Sequence, residues 1–152
     1  MKEYIKWFDQ LSMKDVALVG GKNASLGEMF SHLTRLGVNV PAGFATTTRA
    51  YQDFLEANKL SERINHLLNQ LDVDDVSALA ITGKTIREWL LEVMLPDQLL
   101  EAIAIAYEKL EKSYGTEKVS FAVRSSATAE DLVDASFAGQ QETLLNVSGL
   151  DQ

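Results

Sequence analysis

Two stretches of this chain hold residues that could do chemistry on an anion. The first is VGGKNASLGEM, Val19 to Met29, in which Gly20 and Gly21 stand directly ahead of Lys22 and a helix start. Ser25 and Glu28 have the Ser-x-x-Glu spacing of a capping box, which predicts that the helix begins near Asn23 to Ser25. Free backbone N–H groups and the positive end of the helix dipole favour an anion there, and the two glycines let it approach the backbone closely. A phosphate group suits that description. The stretch is not a Walker A loop, which needs Gly at the position of Val16 and Ser or Thr at that of Asn23. A glycine turn beside an exposed lysine accounts for this segment equally well.

The second stretch is FAVRSSATAEDLVDASFAGQQETLLNV, Phe121 to Val147. Alternation along a strand puts Arg124 on the face opposite Val119, Phe121 and Val123, at the point where the strand opens into a loop. A guanidinium there can hold two phosphate oxygens at once and stays charged at any relevant pH. The loop that follows offers the hydroxyls of Ser125, Ser126 and Thr128, many small side chains, and Gly139 beside Gln140, a composition able to close over a polyphosphate. A surface loop with an ion-paired arginine explains the same residues. Other candidates are weaker. His32 and His66 fall inside helices and read as surface or structural residues, and Asp131 and Asp134 read as loop residues rather than metal ligands.

The elements that must position these residues are legible from periodicity. Ile5, Trp7 and Leu11 predict a short strand and turn. Leu26, Met29, Phe30, Leu33 and Leu36 keep a helical spacing that Gly37 ends. VPAGFATTT reads as a turn into a short strand, with Thr46 to Arg49 leading into a helix through Asn58. Leu60 to Leu71 is a further helix. Val76, Leu79, Gly83, Ile86, Leu90 and Val93, and after Pro96 Leu99, Ile103, Tyr107, Leu110 and Tyr114, outline two amphipathic helices whose stripes, with Trp89, are expected in the core. Val119 to Val123 and Glu142 to Val147 are strand candidates. The segment from Thr128 to Gly139 is expected to be mobile or irregular.

Composition narrows the function classes. With 152 residues, 46% of them hydrophobic and 24% charged, the chain is long enough for one domain with a sizeable core. It has no cysteine, which excludes disulfides and thiolate chemistry. The formal charge of -8 argues against a nucleic-acid surface. The first fifty residues carry six Lys or Arg against four Asp or Glu, and the remainder eight against eighteen, so the acidity belongs to the helical later part. No apolar run reaches the roughly 18 to 20 residues of a membrane span, and the first residues lack an apolar signal core. A cytoplasmic location is expected, with no membrane partner. NVSGLDQ follows the last strand with no capping helix or partner strand, so the sequence is expected to be the first part of a longer chain.

The motifs VGGKNASLGEM, VPAGFATTT and AVRSSATAEDLVDASFAGQQETLLNV, in this order over nearly the whole chain, resemble the N-terminal nucleotide-binding domain of the phosphoenolpyruvate synthase branch of the pyruvate phosphate dikinase superfamily. The resemblance implies an α+β fold, the first part of an ATP-grasp-like nucleotide-binding domain over residues 1–152, helix-rich with a small mixed sheet. It implies a reaction in which ATP gives its terminal pyrophosphoryl unit to a histidine on another domain, which then phosphorylates pyruvate, yielding AMP, phosphoenolpyruvate and phosphate. By the same resemblance Gly20, Gly21, Lys22, Arg124, Ser125, Ser126, Thr128, Gly139 and Gln140 would meet ATP, with Arg124 at the transferring end of the triphosphate. The ligands of Mg2+, the carrier histidine and the pyruvate site would lie beyond Gln152, so the chain alone is expected to be inactive. Rifampin phosphotransferase shares much of the second motif, and pyruvate phosphate dikinase proper shares the lysine motif. A nucleotide-sensing module without catalysis is the reading from another class.

Overall fold

Apolar residues near the start of the chain and around position 45 build the first layer. The computed structural model describes residues 3–115, 119–129, 131–132, 135–136 and 142–150. Strand β1 (Ile5–Trp7) pairs antiparallel with β2 (Phe44–Thr46), with Ile5 opposite Thr46 and Trp7 opposite Phe44. The Trp7 and Phe44 rings meet edge to face at 5.6 Å, an arrangement that adds to simple area burial. Between the strands run two 3-10 turns, Phe8–Gln10 and Met13–Asp15, then the single turn α1 (Val16–Val19) and helix α2 (Gly21–Leu33). Gly37, at φ +80°, ends this run. Leu11, Val19, Ala24 and Ala45 form the buried cluster beneath α2. Gly27 is essential to it, because a Cβ there would lie 2.4 Å from Leu11 Cβ and 2.8 Å from the Leu11 carbonyl.

Thr47 caps α3 (Thr48–Ala57) by accepting the Ala50 N–H, and α4 (Leu60–Asn69), α5 (Val76–Glu92) and α6 (Asp97–Tyr114) follow. Tyr4, Ala50, Phe54, Leu60 and Leu99 make a second core cluster. Asp53 is buried at its margin, where it accepts the Tyr4 hydroxyl at 2.8 Å and pairs with Arg49 at 2.9 Å. A carboxylate can be taken from water only with such compensation. The α5 stripe departs from expectation. No α5 residue is fully buried, and Val76 is 76% exposed. Trp89 and Leu90 near its end, with Val93 just beyond it, pack on the core, and the Arg63 guanidinium lies 4.1 Å from the Trp89 ring centre.

After α6, whose C-terminal cap is Gly115 at φ +63°, β3 (Phe121–Arg124) pairs antiparallel with β6 (Thr143–Val147), and β4 (Asp131–Leu132) pairs antiparallel with β5 (Ala135–Ser136). Three differences from the sequence reading are visible here. The small mixed sheet is replaced, among the described residues, by three separate two-stranded antiparallel pairs. The strand begins at Phe121 rather than Val119, and the register shifts between Phe121 and Val123, which breaks the simple alternation. The segment expected to be irregular contains the short β4–β5 pair. The class is helix-rich α+β, as expected. Among the described residues no helix is long and apolar enough to cross a membrane.

Two tyrosines of α6 tie the layers together. The Tyr114 hydroxyl accepts the Ala42 N–H at 2.9 Å. Tyr107 packs its ring, tilted by 52°, against Phe121 with ring centres 4.9 Å apart and accepts the Gly149 N–H at 2.9 Å, so the β3–β6 ribbon hangs on α6.

Candidate functional site

Helix α2 starts at Gly21, ahead of the expected Asn23 to Ser25. The capping box is absent, because Ser25 lies exposed inside the helix and Glu28 turns to another partner. Its carboxylate accepts the Met13 N–H at 3.1 Å and meets His32 Nε2 at 3.0 Å. The Met13 hydrogen bond, followed by His32, holds the Glu28 carboxyl below its ordinary value.

The first N–H groups of α2 still need acceptors, since the non-helical Gly20 separates them from the turn of α1 and no N-cap side chain caps them. They find them in the second motif. Gly21 donates to the Ala127 carbonyl at 3.0 Å, and Asn23 donates to Ser126 Oγ at 3.4 Å. The Asn23 side chain in turn donates to the Val19 carbonyl at 2.8 Å, which joins α1 to α2. At the N-cap itself Gly20 has φ +83°, a conformation that disfavours any residue with a Cβ. The close approach that glycine permits is taken up by the chain's own Ser126 and Ala127, against which a Cβ on Gly20 would collide.

Gly20, Gly21, Lys22 and Ser126 are thus gathered at one place. Lys22 is half-buried between the two residues that bond the loop. Arg124 is exposed at the end of β3, opposite Thr143. Two residues of extended chain span at most about 7 Å, so Arg124 stays close to the Ser126 contact. Ser125 donates its N–H and its hydroxyl to the Glu142 carbonyl, at 3.5 and 3.3 Å, which closes the ribbon end. Thr128 is exposed in the turn that follows. Gly139 and Gln140 lie outside the described residues.

Sequence reasoning passed over Asn23 and Ala127, which contribute to this contact. Asn23 was visible only as a helix start, and Ala127 acts through its carbonyl, which leaves no trace in residue type. A recess of about 370 Å³ lies elsewhere, lined by Leu11, Ser12, Met13, Lys14, Glu28, Ser31 and His32, and includes none of the residues of the two motifs' contact. His32 and His66 are both exposed within helices, in keeping with a surface role.

The N–H groups at the helix start are therefore taken by the loop, and what remains for an anion is one lysine and one arginine carried on two distant segments that touch through Gly21, Asn23, Ser126 and Ala127. Comparison with known proteins bears on which anion. The profile of the family described as pyruvate phosphate dikinase, AMP/ATP-binding domain, matches residues 16–152. The phosphoenolpyruvate synthase of Neisseria meningitidis serogroup B is 60% identical over 148 residues, covering 97% of this chain and 19% of the relative. That of Pseudomonas aeruginosa is 56% identical over 151 residues, 99% of this chain and 19% of the relative. That of Escherichia coli K12 is 54% identical over 147 residues, 97% of this chain and 18% of the relative. The chain therefore spans about a fifth of the length of the curated relatives it matches.

Proposed function

The chain belongs to the pyruvate phosphate dikinase AMP/ATP-binding domain family, and from that membership we propose that residues 1–152 are the N-terminal part of the ATP site of a phosphoenolpyruvate synthase. The observation that carries this reading is the contact of Gly21 and Asn23 with Ala127 and Ser126. It joins the lysine motif to the arginine motif, for which a shared ligand gives a reason and a loose surface loop does not.

In this reading Lys22 and Arg124 hold the phosphates of ATP, Arg124 at the transferring end, while Ser125, Ser126 and Thr128, with Gly139 and Gln140, line the covering segment. Phosphoryl transfer asks a protein mainly for position and for charge opposite the developing negative charge. A lysine and an arginine held on separate elements supply both. The reaction served is ATP, pyruvate and water giving AMP, phosphoenolpyruvate and phosphate, by way of a phosphohistidine on another domain. The names of the relatives favour pyruvate over an antibiotic as the final acceptor. An ATP-grasp-like arrangement is the fold we expect of the complete domain. We place the ligands of magnesium beyond residue 152.

The test is ATP binding by calorimetry to the full-length protein. Lys22→Ala and Arg124→Ala should each weaken ATP at least tenfold, as expected for losing one charge-assisted bond of about 1.5 to 3 kcal/mol. Wild-type affinity in both variants would sink the reading.

A further inference from the structure

Helix α2 opens without a side-chain cap, and the donors at its start are served from far away in sequence. The two bonds bracket Lys22: one is made by the residue before it and one by the residue after it. Their acceptors, Ser126 and Ala127, follow Arg124 by two and three residues. One small contact therefore fixes the backbone of both cations relative to each other.

The fit is tight enough to be specific. A Cβ at position 20 would stand 2.2 Å from Ser126 Oγ, 2.9 Å from the Ser126 carbonyl carbon and 3.0 Å from that of Ala127. Two of those three neighbours are backbone and cannot swing aside as a side-chain end can. At φ +83° the residue is also in a region that costs about 1 to 3 kcal/mol for most side chains. Glycine is thus required twice over, once by conformation and once by the loop.

We infer that Gly20 and Ser126 are positioning residues of the polyphosphate site, forming an interlock that sets the separation of Lys22 and Arg124. The inference rests on the ATP reading given above. Within it, the glycine serves the loop rather than the phosphate directly, and the Ser126 hydroxyl acts through the Asn23 N–H. Misplacement of a binding group by about 1 Å is enough to lose a large factor in function, so a contact of two hydrogen bonds can matter beyond its own strength.

The experiment is a binding study of ATP and AMP on the full-length protein and its variants. Ser126→Ala should weaken ATP about fivefold to tenfold, the equivalent of one hydrogen bond, and leave AMP within twofold, since AMP lacks the two outer phosphates. Ser126→Thr keeps the hydroxyl and should recover most of the ATP affinity. The effects of Lys22→Ala and Arg124→Ala on ATP should be non-additive in the native background, and the coupling between them should vanish in Gly20→Ala. Equal loss of ATP and AMP in Ser126→Ala would reveal a general structural role and overturn the inference. So would ATP affinity and coupling that survive Gly20→Ala while Ser126→Ala weakens ATP, because Ser126 would then act by touching the ligand. If Gly20→Ala does not fold, the Lys22–Arg124 coupling measured in the Ser126→Ala background decides: its loss supports the interlock, and its persistence overturns it. Weakened ATP in the Lys22 and Arg124 variants with native affinity in both interlock variants removes the interlock and leaves the ATP site standing. Native ATP affinity in the Lys22 and Arg124 variants removes both.

Discussion

The start of α2 and the β3–β6 ribbon each carry one cation of the proposed site, yet they are held in different ways. Under α2 lie Leu11, Val19, Ala24 and Ala45, all at most 4% exposed. On the ribbon Val123, Leu144 and Leu145 are 50%, 53% and 67% exposed, and the described attachments are Tyr107 and the Ser126–Ala127 contact. Lys22 is thus placed by a packed core, whereas Arg124 is placed by a few specific bonds. The difference teaches that charge alone does not make this site: one half is set by burial, and the other is set by reference to the first.

Substitutions can break that contrast, and the largest effect belongs on the packed side. Gly27→Ala drives a methyl into Leu11 backbone and side chain, and overpacking of this kind costs about 1 to 3 kcal/mol. The gain of about 1 kcal/mol from a better helix former offsets part of it. Because part of the clash is with Leu11 backbone, which cannot swing aside, the cost lies at the upper end and a net loss of up to about 2 kcal/mol in denaturant unfolding is expected; an unchanged midpoint would mean that α2 does not press on Leu11 as described.

Tyr107→Phe should cost less, about 1 kcal/mol for the hydrogen bond from Gly149, because the ring contact with Phe121 is kept. Its effect should be local. Amide exchange should quicken at Gly149 and along β3 and β6 while α2 keeps its protection. Equal loss in both places would show that the two regions open as one unit and would erase the contrast.

The smallest effect is electrostatic and sharpens the packed side. Met13 N–H and His32 depress the Glu28 carboxyl in the folded state. A depressed acid contributes stability that is present above its unfolded value and lost as pH falls through its folded value. Unfolding midpoints followed downward from about pH 4.5, the ordinary value of this group, should therefore fall slightly more steeply for the native protein than for Glu28→Gln. Parallel curves would remove the link between Glu28 and the Met13–Asp15 turn.

How much of this could be read from sequence depended on how local the cause was. Helices α3, α4 and α6 follow from apolar period and nearby caps, such as Thr47 ahead of α3 and Gly115 after α6, because everything that defines them lies within a turn or two. The start of α2 was misplaced for the opposite reason. Ser25 and Glu28 have the right spacing for a cap but sit in the helix interior, while the real acceptors at Ser126 and Ala127 have no signature near position 21. The α5 stripe shows that period reveals a face and not its neighbour: Val76 and Leu79 keep the spacing of core residues yet are 76% and 45% exposed. The long motifs pointed correctly to the family, and they contain Gly20 and Ser126, but the way these two residues fit together has no local signature.

The Asn23–Ser126 bond spans 103 positions of chain, and that separation has a kinetic consequence. Closing a flexible loop of such length costs on the order of 4 kcal/mol in entropy by the logarithmic rule, more than two hydrogen bonds of about 1 kcal/mol each return. The contact cannot lead the folding of this chain. It must wait until the helices between its two ends have docked and shortened the distance, so acquisition of ATP affinity during refolding should trail the burial of Trp7 and Trp89 and serve as a clock for the last step.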